Sequence, residues 1–460
     1  MWVPQLDRHA GPRYLAIAEA ISEDLAEGRL KPGSRLPTHR ELADQLGVTV
    51  GTVSRGYAEA ARRGLLSGEV GRGTFLRQRA HEYSPLGAAT EEAVVDLSLN
   101  YPPLVLSEPL RGAFERTLAD VSRREDLPSL FAYPAEAGNA RHREAGAEWI
   151  GRTGLAPRPE EVLVCSGSQH AIATLFATLL KPGDLVLTEA LTYPGMKAAA
   201  SLFYLRLQGV PTDGDGLRPD AFEYACRTAG AKALYCVPTI HNPTAGVMPE
   251  ERRREIASIA EAHGVIIIED DIHALLPEER PLPIAAFAPQ TTYYFTGTSK
   301  TLAPGLRIGF ILAPAGAVER VARGIRALTW SESPLMSEIA ATWIRDGTAA
   351  AITAERRREA AARHAVAREI LGSVQIDAHP SGHHLWLHLP EPWRSDSFAA
   401  AASRRGVKVT PSDAFVVDRG IAPHAVRVCL GAPASLQELR RGLGLLAETL
   451  AAGPTEGFPI

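Results

Sequence analysis

The 460-residue sequence contains no run approaching the ~20 consecutive apolar residues that a membrane-spanning helix requires. Its start, Met1-Trp2-Val3-Pro4-Gln5-Leu6-Asp7, has no basic stretch followed by an apolar one, so no export leader is expected there. Cysteine is scarce: Cys165, Cys226, Cys236 and Cys429 stand singly, without the close pairing of zinc sites or the density of disulfide scaffolds. A cytoplasmic protein with no metal site is the expectation. Internal repeats and low-complexity tracts are missing as well.

Hydrophobic residues make up 45% of the chain and charged residues 22%, the balance of a folded soluble protein, and the length allows two or three packed cores. The net charge of −4 is uneven: residues 1–79 hold 12 Arg and Lys against 9 Asp and Glu, about +3, leaving about −7 for the remainder. A basic head suits an anionic partner, although three charges also fit an ordinary solvated face.

Residues 1–77 read as a module of three helices and a hairpin. Leu15, Ala18, Ile21 and Leu25 recur at helical spacing, and Gly28 offers a left-handed stop. Thr38 with Glu41 makes a capping box for a second helix through Leu42 and Leu46, ended by Gly47. Thr49 caps a third helix that carries Val53, Tyr57 and Ala60 inward and stops at Gly64. The stretch 65–76 alternates apolar runs with a glycine-rich turn and reads as a two-stranded wing. In such a winged helix-turn-helix the third helix meets base edges in the major groove, which points to Thr49, Thr52, Ser54 and Arg55. Arg35, Arg40 and Arg72 stand where phosphate contacts are expected. A small interaction module with solvated arginines is the alternative at this stage.

Residues 78–95 lose apolar periodicity and read as a linker. From 96 to 455, fully apolar strand-like runs such as Val162-Leu163-Val164, Leu185-Val186-Leu187 and Val265-Ile266-Ile267-Ile268 alternate with helical patterns. That is the pattern of an α/β body with a mainly parallel sheet, followed from about 335 by a smaller α+β lobe. Open parallel sheets bind ligands at the C-terminal ends of their strands, and five features stand there. Cys165-Ser166-Gly167-Ser168-Gln169 joins a strand to a helix and offers an anion cradle, or a plain tight turn. Asp270 ends a strand and suits a protonated ring nitrogen, a helix cap or a metal. Lys300 follows a buried strand with Arg307 nearby, a setting that would lower an amine's pKa; otherwise it is a surface charge. Tyr193 is placed to stack on a planar group or to join the core. Asn242, in His241-Asn242-Pro243-Thr244, has an amide able to donate to a ring oxygen.

Two resemblances narrow these alternatives. Gly33-Ser34-Arg35-Leu36-Pro37-Thr38-His39-Arg40-Glu41-Leu42-Ala43, Leu46-Gly47-Val48-Thr49, Thr52-Val53 and Gly71-Arg72-Gly73-Thr74-Phe75 resemble the GntR-type winged helix. Val50 departs from it, where that family often has a DNA-directed Arg. Residues 96 to about 450 resemble fold-type I aminotransferases, and the whole chain is similar to the MocR-type members of the GntR family. The resemblance implies that Lys300 carries pyridoxal phosphate as an internal aldimine, with Asp270 on the pyridinium, Tyr193 stacked on the ring and Asn242 on its phenolic oxygen. It implies further that Ser168, Gln169, Ser299 and Arg307 hold the phosphate. Arg427, in Val426-Arg427-Val428, matches the arginine that binds a substrate carboxylate, and Tyr133 matches a residue reaching the neighbouring subunit's site. Ile272 replaces a tyrosine usual in the family, and Gly297 a hydroxyl residue; both substitutions bear on whether transamination turns over.

The expectation is a homodimeric regulator of operator DNA that senses an amino compound through external aldimine formation. An active aminotransferase with a regulatory head is the rival from another class, and pyridoxal phosphate acting alone as the signal is a third reading.

Overall fold

The computed structural model describes residues 2–4, 6, 11–26, 29–30, 34, 36–62, 65–69, 73–76, 94–103, 108–418 and 422–453. The chain divides into two compact units, residues 1–90 and 91–460. In the first, α1 (Arg13–Ala26), α2 (His39–Leu46) and α3 (Val50–Arg62) precede a hairpin of β1 (Leu66–Glu69) and β2 (Gly73–Leu76). The capping box forms: Thr38 N donates to Glu41 Oε2 at 2.8 Å and Glu41 N to Thr38 Oγ1 at 3.3 Å. Gly47 ends α2 at φ 62°, a left-handed turn natural to glycine, and Thr49 Oγ1 accepts from Thr52 N at 3.2 Å to open α3. Leu66 pairs with Leu76 across the wing, and Leu36 N donates to Thr74 O at 2.9 Å, tying the entry of α2 to it. Gly28, Gly64, Arg35, Arg72 and the wing turn lie outside the described residues, as does most of the expected linker.

The buried stripe of α1 is turned from the expected one. Ile17, Ala18 and Ile21 are fully buried, whereas Leu15 and Leu25 are half-buried. The cause is in the partner helix: a Cβ at Gly56 of α3 would lie 3.0 Å from Ile17 Cβ and from Tyr14 O. Missing that side chain, α3 meets α1 at Ile17.

Unit 91–460 contains β3 (Val95–Asp96), β4 (Val162–Cys165), β5 (Leu185–Glu189), β6 (Arg206–Val210), a short hairpin of β7 (Thr212–Asp213) and β8 (Gly216–Leu217), β9 (Ala233–Cys236), β10 (Ile266–Asp270), β11 (Thr292–Gly297) and β12 (Gly309–Leu312). Seven of these form one sheet in the order β4-β12-β11-β10-β9-β5-β6. Its pairs are parallel except the two made by β12. Helices cover both faces, which is why the strands are apolar on both sides. Ile172, Phe176, Val321 and Ile325 pack on one face against Leu163, Ile268 and Phe295. Phe222 and Ile256 pack on the other against Leu187 and Ile267, and Trp149 and Trp343 against Val164 and Phe310.

The smaller lobe holds β13 (Ile376–Ala378), β14 (His384–His388), β15 (Val407–Lys408), β16 (Thr410–Pro411) and β17 (Ala425–Cys429), four of them in an antiparallel sheet ordered β13-β14-β17-β16. Its limits differ from the expected start at about 335. Helix Pro334–Arg345 and the first half of helix Thr348–Leu371 belong to the larger core, through Ile339, Trp343 and Ile352. The lobe's own core begins at Val366 and recruits Val95 and Leu97 from the far end of the unit. β3 pairs in parallel with β15, Val95 against Val407. Val95, expected to close the linker, is therefore a buried strand position. A long helix spanning two cores has no break in its pattern at the boundary, so the sequence carries no sign of it. Among the described residues no helix is long and apolar enough to cross a membrane.

Gly56→Ala is expected to destabilise the first unit by about 1 kcal/mol. Overpacking against a backbone oxygen costs ~1–3 kcal/mol, more than the ~1 kcal/mol by which Ala exceeds Gly in a helix. Amide hydrogen exchange at residues 14–21 and 53–60 measures this; unchanged protection would mean that the helices separate without cost.

Candidate functional site: the strand ends around Lys300

The antiparallel β12 slots between β11 and β4, with Gly309 opposite both Gly297 and Cys165. A Cβ at Gly309 would lie 3.0 Å from Cys165 Sγ and 3.1 Å from Gly167 Cα, so glycine alone lets the two strand ends close. This brings the residues before β12 onto the N-terminus of helix Ser168–Leu179. Gly167, at φ 83°, caps that helix without a side chain, and a Cβ there would meet Arg307 Nη2 at 2.8 Å. Arg307 itself is left-handed, φ 54°, and donates from Nη2 to Ser166 O at 3.3 Å. Ser168 Oγ is buried with no hydrogen-bond partner in the protein. Free helix N–H groups, an orphaned hydroxyl and a guanidinium form an anion site. Ser299 stands half-buried beside Lys300.

Lys300 is half-buried as a residue, but its amine is enclosed and donates to Asn100 O. Burial brings its pKa down to about 8, with Arg427 and Arg307 pushing the same way and Cys429 and Asp270 opposing. Asp270, at the end of β10, is buried; Tyr235 donates its phenol proton to Oδ2 at 2.6 Å and Ile272 N donates to Oδ1 at 3.3 Å. Burial lifts Asp270 to about 6, and the Tyr235 hydrogen bond resists the rise. Arg427 of β17 is buried, donating to Asn242 Oδ1 at 2.8 Å, Ser98 O at 2.7 Å and Thr410 Oγ1 at 3.4 Å, with its guanidinium 5.0 Å from the Phe415 ring centroid. Because Asn242 accepts through Oδ1, its Nδ2 is the end left to donate. Gly431 lies so close to Tyr101 that a Cβ would stand 1.8 Å from the Tyr101 carbonyl oxygen, which presses residues 98–102 onto this site.

Tyr193 caps helix Pro194–Leu202 and folds over Gly195, where a Cβ would lie 2.4 Å from the ring. The Gln169 side chain, expected on phosphate, donates instead to Gly195 O at 2.9 Å and so holds the tyrosine loop. Lys300, Asp270, Asn242, Arg427, Arg307 and Ser168 are thus gathered around the strand ends. Tyr133 is apart from them, 80% exposed, with its ring 5.4 Å from Trp330. The two departures meet each other: a Cβ at Gly297 would lie 3.2 Å from Ile272 Cδ1 and 2.9 Å from Ile308 O. Ile272 fills the space that a side chain at 297 would need. The residues fit pyridoxal phosphate: the orphaned Ser168 hydroxyl at the cradle, an amine of lowered pKa and a buried carboxylate answer its phosphate, aldehyde and ring nitrogen. Among the described residues no group of three or more His, Cys, Asp or Glu is placed to hold a metal ion.

Sequence reasoning missed Tyr235 and the carbonyls of Ser98 and Asn100. The phenol in the otherwise apolar run Ala233-Leu234-Tyr235-Cys236-Val237 is a signal that could have found the first; main-chain carbonyls leave none.

In the first unit Arg40, Thr49, Val50 and Arg55 are exposed and Thr52 is half-buried. Thr49 and Thr52 share a hydrogen bond of 2.9 Å. Ser54 lies 2.9 Å from His39 Nδ1, and the Arg55 guanidinium sits 4.3 Å from the Tyr14 ring centroid, so both have partners within the module.

Residues 13–76 match the family model of bacterial regulatory proteins of the gntR family, and residues 92–445 that of aminotransferase class I and II. The uncharacterized HTH-type transcriptional regulator YdeF of Bacillus subtilis is 33% identical, across 98% of this chain and 96% of its own length. The HTH-type pyridoxine biosynthesis transcriptional regulator PdxR of Corynebacterium glutamicum is 28% identical, across 86% of each. Among solved structures, the α-aminoadipate aminotransferase LysN of Thermus thermophilus, complexed with N-(5'-phosphopyridoxyl)-L-leucine, is 25% identical with a TM-score of 0.69, over 78% of this chain and 93% of that one. The chain belongs to the MocR-type transcription regulators, in which a gntR-family winged helix is joined to an aminotransferase class I and II domain of fold type I.

Proposed function

We propose that this DNA-binding regulator carries pyridoxal phosphate covalently on Lys300 and answers to an amino compound whose carboxylate pairs with Arg427. It acts as a cytoplasmic homodimer, with two winged helices on two half-sites. The observation that carries the effector reading is Arg427. A buried guanidinium is costly without an anion, and among the described residues no carboxylate pairs with it; its acceptors are an amide, a carbonyl and a hydroxyl. A carboxylate entering there replaces neutral acceptors by a charge-matched, bidentate one.

When bound, pyridoxal phosphate supplies an aldehyde carbon that condenses with amines and a ring that withdraws electrons. Lys300 offers the amine, and its enclosure leaves a far larger unprotonated fraction near neutral pH than an exposed lysine has. Asp270 holds a positive charge at the ring nitrogen; Asn242 donates from Nδ2; Ser168, Ser299 and Arg307 hold the phosphate. Regulation requires the effector to bind two conformations with different affinity, and residues 98–102, in contact with both Lys300 and Arg427, are the segment such a change would move.

An active aminotransferase is the second reading, favoured by the assembly of Lys300, Asp270, Asn242 and Arg427 in one place and by the likeness to LysN. The packing of Ile272 into the space at Gly297 counts against it, since it leaves an apolar wall where a hydroxyl donor would stand.

The visible spectrum separates these readings. With the parent protein a Lys300-dependent band shifts on adding one amino compound and then stalls; Arg427→Ala keeps the band and loses at least about tenfold in affinity for that compound, the loss of one buried charge-assisted contact. Bleaching followed by recovery with a keto acid would make the chain a working aminotransferase. In the protein freed of cofactor, the rate of covalent capture by Lys300 should rise with pH with a midpoint near 8; a midpoint at the ordinary lysine value would remove the buried-amine account. For the head, Arg40→Ala should weaken binding to every DNA sequence and reduce the slope of log affinity against log salt by about 1. An unchanged slope would take Arg40 off the phosphate.

A further inference from the structure

We propose that Tyr235 is a positioning residue for the cofactor: its phenol holds the Asp270 carboxylate in place, and charged, for the ring nitrogen of pyridoxal phosphate. The inference rests on the reading above and extends it to a residue outside the expected site.

The sheet register produces the contact. β9 and β10 run parallel with Tyr235 opposite Ile268. Side chains alternate along a strand, so Asp270, two residues beyond Ile268, lies on the same face as Tyr235 and diagonal to it. Diagonal neighbours are ~7–8 Å apart at Cα, a span that a long aromatic side chain closes and a shorter one does not. The phenol does close it, with Oη 2.6 Å from Asp270 Oδ2. Both side chains are buried, Tyr235 completely and Asp270 to 3% exposure.

Left alone, a carboxylate so enclosed drifts toward its neutral acid, because burial penalises the charged form. The neutral acid has no use for a protonated ring nitrogen. Two donors oppose that drift, the Tyr235 phenol and the Ile272 N–H, one on each oxygen. Glu189 at the end of β5 and Asp271 beside it push the other way as like charges, whereas Lys300 favours the carboxylate; Tyr193 is the remaining titratable group beside the phenol. Of the side chains that favour the carboxylate, Tyr235 makes the direct contact. The hydrogen bond also fixes which way the carboxylate plane faces, leaving the second lone pairs of both oxygens for a ring N–H.

Tyr235→Phe keeps the ring and deletes the proton donor. Its sign follows from linkage: without the donor Asp270 holds its proton to higher pH, so the variant's weakness is greatest where the proton competes with the cofactor. The ratio of variant to parent dissociation constants for pyridoxal phosphate, taken from the Lys300-dependent visible band or from fluorescence titration, is expected to reach about ten- to a hundredfold near pH 6 and to shrink toward one by about pH 8.5, the worth of a hydrogen bond to a charged group. In an Asp270→Asn background the same substitution should add nothing. A ratio that is constant with pH, or a full extra loss in the Asp270→Asn background, makes Tyr235 an ordinary core residue and overturns the proposal. If the parent shows no Lys300-dependent binding at all, the proposed function fails, an outcome read from the parent alone.

Discussion

The candidate site depends on the insertion of one antiparallel strand, β12, between β11 and β4. That insertion is possible because Gly309 has no side chain to strike Cys165 and Gly167. It turns the chain from Lys300 back past Arg307 onto the N-terminus of helix Ser168–Leu179, so that the amine, the guanidinium and the helix dipole serve one ligand. Shifting the strand by one residue would put Phe310 where Gly309 stands and reverse every face.

Around that closure the protein buries several charges, and two of the carboxylates are placed by backbone N–H groups. Glu189 accepts from Val237 N at 2.8 Å and is pushed by burial to about 7. Glu269 accepts from Ile284 N at 2.8 Å and Ala285 N at 2.9 Å, and burial, with Asp271 adding to it, raises its pKa above the ordinary carboxylate range. These carboxylates pin loops that leave the strand ends, which keeps the ligand-facing residues on a rigid frame. Buried polar groups are tolerated where their hydrogen bonds are made, and Ser168 Oγ and Arg427 Nε are among the buried atoms that have no partner within the protein.

The departures at positions 272 and 297 are one change in space. Ile272 and Gly297 are 25 residues apart in sequence but adjoin at the ends of β10 and β11, where the missing Cβ makes room for the isoleucine. The result is an apolar contact between the ends of β10 and β11. In the head, a similar absence at Gly56 sets how closely α3 approaches α1.

The sequence by itself determined what local rules determine. The Thr38–Glu41 capping box, the left-handed Gly47, the wing and the fully apolar strands each follow from residues a few positions apart, where backbone sterics and short-range hydrogen bonds decide. It also marked Lys300, Asp270, Tyr193 and Asn242 by residue type and position at strand ends, whereas Arg427 was marked only through the family resemblance. Tertiary structure decided everything that needs two distant segments to touch. It turned α1 toward Ile17, took Val95 into the smaller lobe, moved the Gln169 amide to the tyrosine loop, and set Tyr235 on Asp270. Those outcomes depend on strand register and on where a Cβ is missing, and neither is written in the pattern of any single segment.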